Sequence, residues 1–161
     1  MSNDFVYRFA NEGDTDQIAA VKHACFNTDS LKEARVSIVE EMEKGYQFFV
    51  AEHHRGGIVA ISAWLMHGRP KHGLVEFEHI AIMPEYRRKG IAKKLFEQLI
   101  THTQQYYKKK GGTLRKIYLL TRDENTEAQA FYCSLGFVHE TTLKEHFCPK
   151  KDDYVFSYFV T

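Results

Sequence analysis

Residues 76–95 read Glu76-Phe77-Glu78-His79-Ile80-Ala81-Ile82-Met83-Pro84-Glu85-Tyr86-Arg87-Arg88-Lys89-Gly90-Ile91-Ala92-Lys93-Lys94-Leu95. The first part is apolar and β-branched and continues a strand that begins at Leu74 and stops near Pro84. The last part opens a helix spanning about Arg88 to Lys110, with Ile91, Leu95, Leu99 and Ile100 on one stripe and Gly111-Gly112 ending it. A strand therefore feeds a helix through a basic, glycine-containing loop. Backbone N–H groups at a helix start have no partner within the helix and form the positive end of its dipole, so such a loop suits a pyrophosphate. Gly90 permits close backbone approach, and Arg87, Arg88 and Lys89 add charge-assisted donors. The loop is neither G-x-x-x-x-G-K-[ST] nor G-x-G-x-x-G. The bland alternative is a solvated basic helix start.

Working outward, the periodicity predicts β-α-α-β-β-β-α-β-α-β-β. Strands are expected at Phe5–Ala10, Gln47–Glu52, Ile58–Met66, Leu74–Met83, Leu114–Thr121, Phe137–Thr142 and Tyr154–Val160. Helices are expected at Thr15–Phe26, Leu31–Lys44, Arg88–Lys110 and Asn125–Leu135. Meandering strands in the first half suggest antiparallel pairing, and the strand–helix–strand crossover from Leu74 to Thr121 suggests one parallel pair. The expected fold is α/β (α+β): a mixed, mostly antiparallel sheet of about seven strands with helices on both faces.

The chain has 161 residues, which fits one domain over residues 1–161 against a prior of roughly 150 residues. With 43% hydrophobic and 27% charged residues it reads as globular rather than disordered. Lys+Arg 22 against Asp+Glu 21 leaves a net charge of +1, which argues against a whole-surface nucleic-acid binder. The charge is nevertheless uneven. Residues 87–116 hold ten Lys/Arg and one acid (Glu97), or +9, so the remainder sums to −8. Cys25, Cys133 and Cys148 are too few and too odd for a disulfide framework and fit a reducing cytoplasm. The N-terminus shows no signal peptide, and no apolar run approaches a membrane span of about 18 residues.

Two motifs then carry a resemblance. Arg87-Arg88-Lys89-Gly90-Ile91-Ala92 matches the [RQ]-x-x-G-x-[GA] signature of the GNAT superfamily of N-acetyltransferases. Asn125-Thr126-Glu127-Ala128-Gln129-Ala130-Phe131-Tyr132, followed by Leu135-Gly136-Phe137, resembles that family's N-x-x-A-x-x-F-Y-x-x-x-G-F. Ala92 stands where glycine is commoner, which the pattern tolerates. The resemblance implies acetyl-CoA as co-substrate, with backbone groups along Ile80, Ala81 and Ile82 holding the acetyl-pantetheine arm. It implies that Arg87, Arg88, Lys89, Gly90, Ile91, Ala92 and Lys93 cradle the pyrophosphate. Asn125 would bond the pantetheine arm, and Tyr132 would lie near the thioester sulfur as its acid.

Acetyl transfer to an amine needs a neutral amine, a stabilised oxyanion and a proton for the leaving thiolate. Glu76 and Glu78, two apart on one strand, share a face, and either could take the amine proton; a salt-bridged pair is the alternative. His79 points the other way and reads as a packing histidine. Tyr132 can protonate the thiolate; otherwise it is a core aromatic. His53-His54 point to opposite faces, and His139 and His146 lack metal-ligand spacing, so no metal is expected. Lys108-Lys109-Lys110 reads as a solvated helix end, favoured there by the dipole, or as a contact to the adenosine 3′-phosphate. The expected acceptor is a primary amine on a small molecule; rivals are a protein lysine or N-terminus, and a catalytically silent acyl-CoA-binding module. A monomer or homodimer is expected, with neither nucleic acid nor membrane as partner.

Overall fold

The computed structural model describes residues 4–26 and 28–161. In chain order the elements are β1 (Phe5–Phe9), α1 (Thr15–Cys25), α2 (Leu31–Glu43), β2 (Gln47–His53), β3 (Gly57–His67), β4 (Leu74–Ile82), α3 (Ile91–Lys109), β5 (Lys116–Arg122), α4 (Thr126–Ser134), β6 (Val138–Cys148) and β7 (Lys151–Phe159). Short 3-10 turns occupy Glu12–Asp14, Pro70–His72 and Pro84–Tyr86. The strands form one seven-stranded sheet in the order β1-β2-β3-β4-β5-β7-β6. The β1–β2, β2–β3, β5–β7 and β6–β7 pairs are antiparallel, and β4–β5 is parallel. This is the mixed, mostly antiparallel architecture expected from the sequence. No helix is long and apolar enough to cross a membrane among the described residues.

The chain divides into two compact units. The first comprises the residues up to Leu65 and His79–Gln105. On one face of its sheet Phe48, Val50, Ile61 and Ala63 bury against Ile18 and Val21 of α1 and Ala34 and Ile38 of α2. The alternate residues turn to the other face, where the Phe49 and Phe9 rings meet His102 of α3 and Phe9 also meets Trp64. Local chemistry sets the helix starts. The Ser30 hydroxyl accepts from Glu33 N at 3.0 Å to cap α2, and Asn11 caps the turn leading into α1. Arg8 ties these pieces together, bonding Asp14 at 2.7 Å and Glu52 at 2.7 Å.

The second unit comprises Met66–Glu78 and Tyr106–Thr161. Strand β5 buries Ile117, Leu119 and Thr121 in strict alternation and pairs along its whole length with β7. Helix α4 turns Tyr132 inward against Phe77 and Phe137. The Tyr107 hydroxyl donates to Leu74 O at 3.0 Å, anchoring the end of α3 to the start of β4.

Three boundaries differ from the sequence reading by three residues or more. Helix α3 begins at Ile91 rather than Arg88, because Arg88 (φ 61) and Gly90 (φ 77) hold the left-handed region, which no helix accommodates. Strands β6 and β7 run to Cys148 and from Lys151, beyond the expected Thr142 and Tyr154. Most of β6 is exposed, so it carries no alternation of apolar and polar residues to read.

Candidate active site

The first unit contributes the end of β4 and the loop after it. Ala81 is buried in the α1–α2 core, and Ile80 and Ile82 flank it half-buried. Met83 N donates to Val59 O at 2.8 Å, and the Pro84–Tyr86 turn then carries the chain into residues 87–90. Arg88, Lys89, Gly90 and Lys93 are exposed, whereas Ile91 is buried and anchors the first turn of α3. A Cβ built on Gly90 would meet nothing within 4 Å. Packing therefore does not require glycine there. The positive φ does, and the space beside it is open. Lys94 N to Gly90 O, 3.1 Å, is the helix's opening bond, which leaves the N–H groups of Ile91, Ala92 and Lys93 without an acceptor inside the helix.

Arg87 behaves differently from its loop neighbours. Its Nε donates to Ile82 O at 2.9 Å and its Nη2 reaches Cys25 Sγ at 3.6 Å, so the side chain braces the loop against β4 and α1. The Lys89 ammonium lies 5.4 Å from the Tyr86 ring centroid.

His79 faces α2, on the opposite side of β4 from Glu78, and packs between the Phe26 and Phe48 rings. Its Nε2 lies 3.7 Å from Glu41 Oε2, and Glu41 also bonds the Lys22 ammonium, which donates to Ser37 Oγ at 2.8 Å. Burial alone would raise the Glu41 pKa. Its contacts with His79 and Lys22 outweigh that and bring it down to about 2. His79 is thus a packed histidine held beside a carboxylate. The Glu41 partnership was beyond sequence reading, because nothing in the pattern says which residue of α2 meets which residue of β4.

The second unit holds both expected carboxylates and the tyrosine, and it separates their environments. Glu76 sits at the last pair of the parallel β4–β5 register, Glu76 to Tyr118. It lies 2.6 Å from His67 Nε2 and accepts from the Tyr118 hydroxyl at 3.4 Å. Glu78 lies two residues past that register and is exposed. Tyr132 is 9% exposed, and its phenol is pushed up to about 12, chiefly by burial and further by the charge of Glu78. The structure therefore groups Tyr132 electrostatically with Glu78, and Glu76 with His67 and Tyr118. Asn125 caps α4, its Oδ1 accepting from Ala128 N at 3.2 Å. Cys133, beside Tyr132, is exposed.

Comparisons with known proteins converge on one family. Residues 44–139 match the family described as acetyltransferase (GNAT) domain. An N-alpha-acetyltransferase from Saccharolobus solfataricus is 29% identical over 164 residues, covering 94% of this chain and 91% of that protein. Among solved structures, a GNAT-family protein from Desulfovibrio desulfuricans superposes with a TM-score of 0.78 at 17% identity, covering 98% of this chain and 99% of that one. Spermidine N-acetyltransferase from Vibrio cholerae, solved in complex with CoA and spermine, gives 0.72 at 22% identity, covering 98% and 96%.

Proposed function

The chain belongs to the GNAT acetyltransferase family as an N-acetyltransferase, and we propose that it moves the acetyl group of acetyl-CoA onto a primary amine of a small molecule, by direct transfer with both substrates bound. The observation that carries this reading is Tyr132, a buried phenol on α4 packed against Phe77, the neighbour of Glu78 on β4. A protein that only bound the cofactor would need neither group. The room above Gly90 and the unpaired amides of the first turn of α3 support a pyrophosphate at that loop, with Arg88, Lys89 and Lys93 adding charge. Arg87 serves there as a brace, and Ile80, Ala81 and Ile82 supply the backbone edge for the pantetheine arm.

Glu78 accepts the amine proton, directly or through one water, as the N–C bond forms. Tyr132 gives its proton to the sulfur as the C–S bond breaks, so the products are the amide and free CoA thiol. Proton exchange with solvent restores both side chains. Glu76, already engaged by His67 and Tyr118, holds the sheet rather than the reacting proton.

A panel of polyamines, aminoglycosides, amino acids and peptides, read by release of free thiol from acetyl-CoA, tests the reading. Turnover on a small amine supports it. Turnover on peptide N-termini alone would favour the second reading, for which the relation to an N-alpha-acetyltransferase speaks. Stabilisation by CoA without turnover would leave a binding module, and no thermal stabilisation by acetyl-CoA would overturn the proposal. With an acceptor in hand, Tyr132→Phe should lower kcat by about 10²-fold or more while leaving acetyl-CoA affinity unchanged. Unchanged kcat would remove Tyr132 as the acid.

A further inference from the structure

Lys108 and Lys109 form the last turn of α3 and Lys110 follows it, at the opposite end of the helix from the Gly90 loop. The second unit gathers further cations around it. Arg115 N and Lys116 N both donate to Gly73 O, at 2.8 and 3.1 Å, and Arg115 Nε donates to His72 O at 2.8 Å. The turn at Pro70–His72 is thereby fastened to the segment that follows α3. A Cβ on Gly112 would stand 2.1 Å from Pro70 O, so the two segments are in direct backbone contact. This contact sets Arg69 and Lys71 beside Lys108, Lys109, Lys110 and Arg115.

All six side chains are exposed, and none forms an ion pair among the described residues. The one nearby cation that is paired, Lys116 with Glu140, is excluded from the set. The sequence has no acid between Glu52 and Glu76, nor between Glu97 and Asp123, so both contributing segments come from acid-free stretches. The helix dipole accounts for cations in the last turn of α3 but not for Arg69, Lys71 or Arg115. Like charges crowded without a counter-charge repel one another in the free protein, and an anionic partner relieves that repulsion.

The geometry points to a docking surface for the phosphate backbone of a nucleic acid strand. We infer this partner from what the patch offers and what it lacks. It offers ammonium and guanidinium donors spread over two adjoining segments, which is the sequence-independent way of holding repeated phosphates. No large apolar side chain is exposed at 66–74 or 106–116, and the one exposed ring that adjoins the patch, Phe159 beside Lys116, offers a flat face for a base rather than a packed protein anchor.

The test is fluorescence anisotropy of the full chain with a labelled 20-nucleotide single-stranded RNA, across a salt series, beside polyglutamate of equal charge. The expected result is RNA binding that weakens by roughly 10²-fold between 50 and 200 mM salt, as about six phosphate contacts require. Replacing Lys108, Lys110 and Arg115 together by Gln should reduce the log–log salt slope by about 2. The same variant should keep its acetyl-CoA turnover, because none of the three serves the acetyl-transfer site, and should lose no more than the few degrees that the Arg115 Nε bond to His72 O supplies. Equal or tighter binding of polyglutamate would overturn the assignment in favour of an acidic protein. Absence of RNA binding at 50 mM salt, or a variant with the wild-type slope, would overturn it outright.

Discussion

Glu76 and Glu78 occupy the same face of one strand and differ in exposure. Glu76 is held by an imidazole and a phenol inside the β4–β5 pairing, while Glu78 stands exposed beyond it and bears on Tyr132. Glu78→Gln should therefore lower kcat at neutral pH by about 10²-fold with little change in thermal midpoint. Glu76→Gln should leave most of kcat and lower the midpoint by a few degrees, since losing about 1 kcal/mol shifts a chain of this size by roughly 2–4 °C. Steady-state kinetics and a melting curve on each variant separate the two, and the reverse pattern would exchange their roles. Strand periodicity alone puts both acids on one face. It could not rank them, because the ranking comes from His67 and Tyr118 on other strands. His79 teaches the same lesson: its direction was legible, but its neighbour Glu41 was not.

At the scale of elements, what was legible followed hydrophobic period, and what was missed followed backbone conformation. The loop after β4 was visible as glycine and basic residues, yet the non-glycine Arg88 at φ 61, which delays the helix to Ile91, has no sequence signal. The β6–β7 hairpin extends past its expected ends because an exposed edge strand buries too little to show alternation. Gly111-Gly112 was read only as a helix stop, and the structure gives the two glycines different work. Gly111 has φ 78 and open space, so Gly111→Ala carries only left-handed strain, about 1 kcal/mol. Gly112→Ala drives a Cβ into the Pro70 carbonyl and must push apart the two backbones that start the parallel pair, at about 2 kcal/mol or more. Urea unfolding monitored by circular dichroism should place Gly112→Ala below Gly111→Ala. Equal midpoints would show that the turn at Pro70 yields freely.

Across the whole molecule the buried carboxylates and the buried phenols set how stability responds to pH. In the first unit Asp14 is held below its ordinary value chiefly by the Arg8 guanidinium, and Glu41 lies at about 2. In that range the unfolded chain binds more protons than the folded one, so stability falls as pH drops from about 4.5 toward 2. In the second unit the Tyr107 and Tyr132 phenols are both raised to about 12 by burial. Between pH 10 and 12 the folded state keeps protons that the unfolded state has lost, so stability falls as pH rises, on the order of 2 kcal/mol for each phenol. Tyr7 in the first unit adds a smaller shift of the same sign. The lowered carboxylates of the second unit, Glu124 and Glu140, sit in exposed pairs that contribute little. Trp64 is the chain's sole tryptophan and lies in the first unit, so its fluorescence should register the acid transition directly. Tyrosinate absorbance should rise together with the loss of helical signal at the alkaline end, because burial favours the protonated form of both phenols in the folded chain. Glu41→Gln should flatten the acid limb and leave the alkaline limb unmoved. A Trp64 signal unchanged down to pH 2, or alkaline ionisation of every phenol without unfolding, would contradict this division.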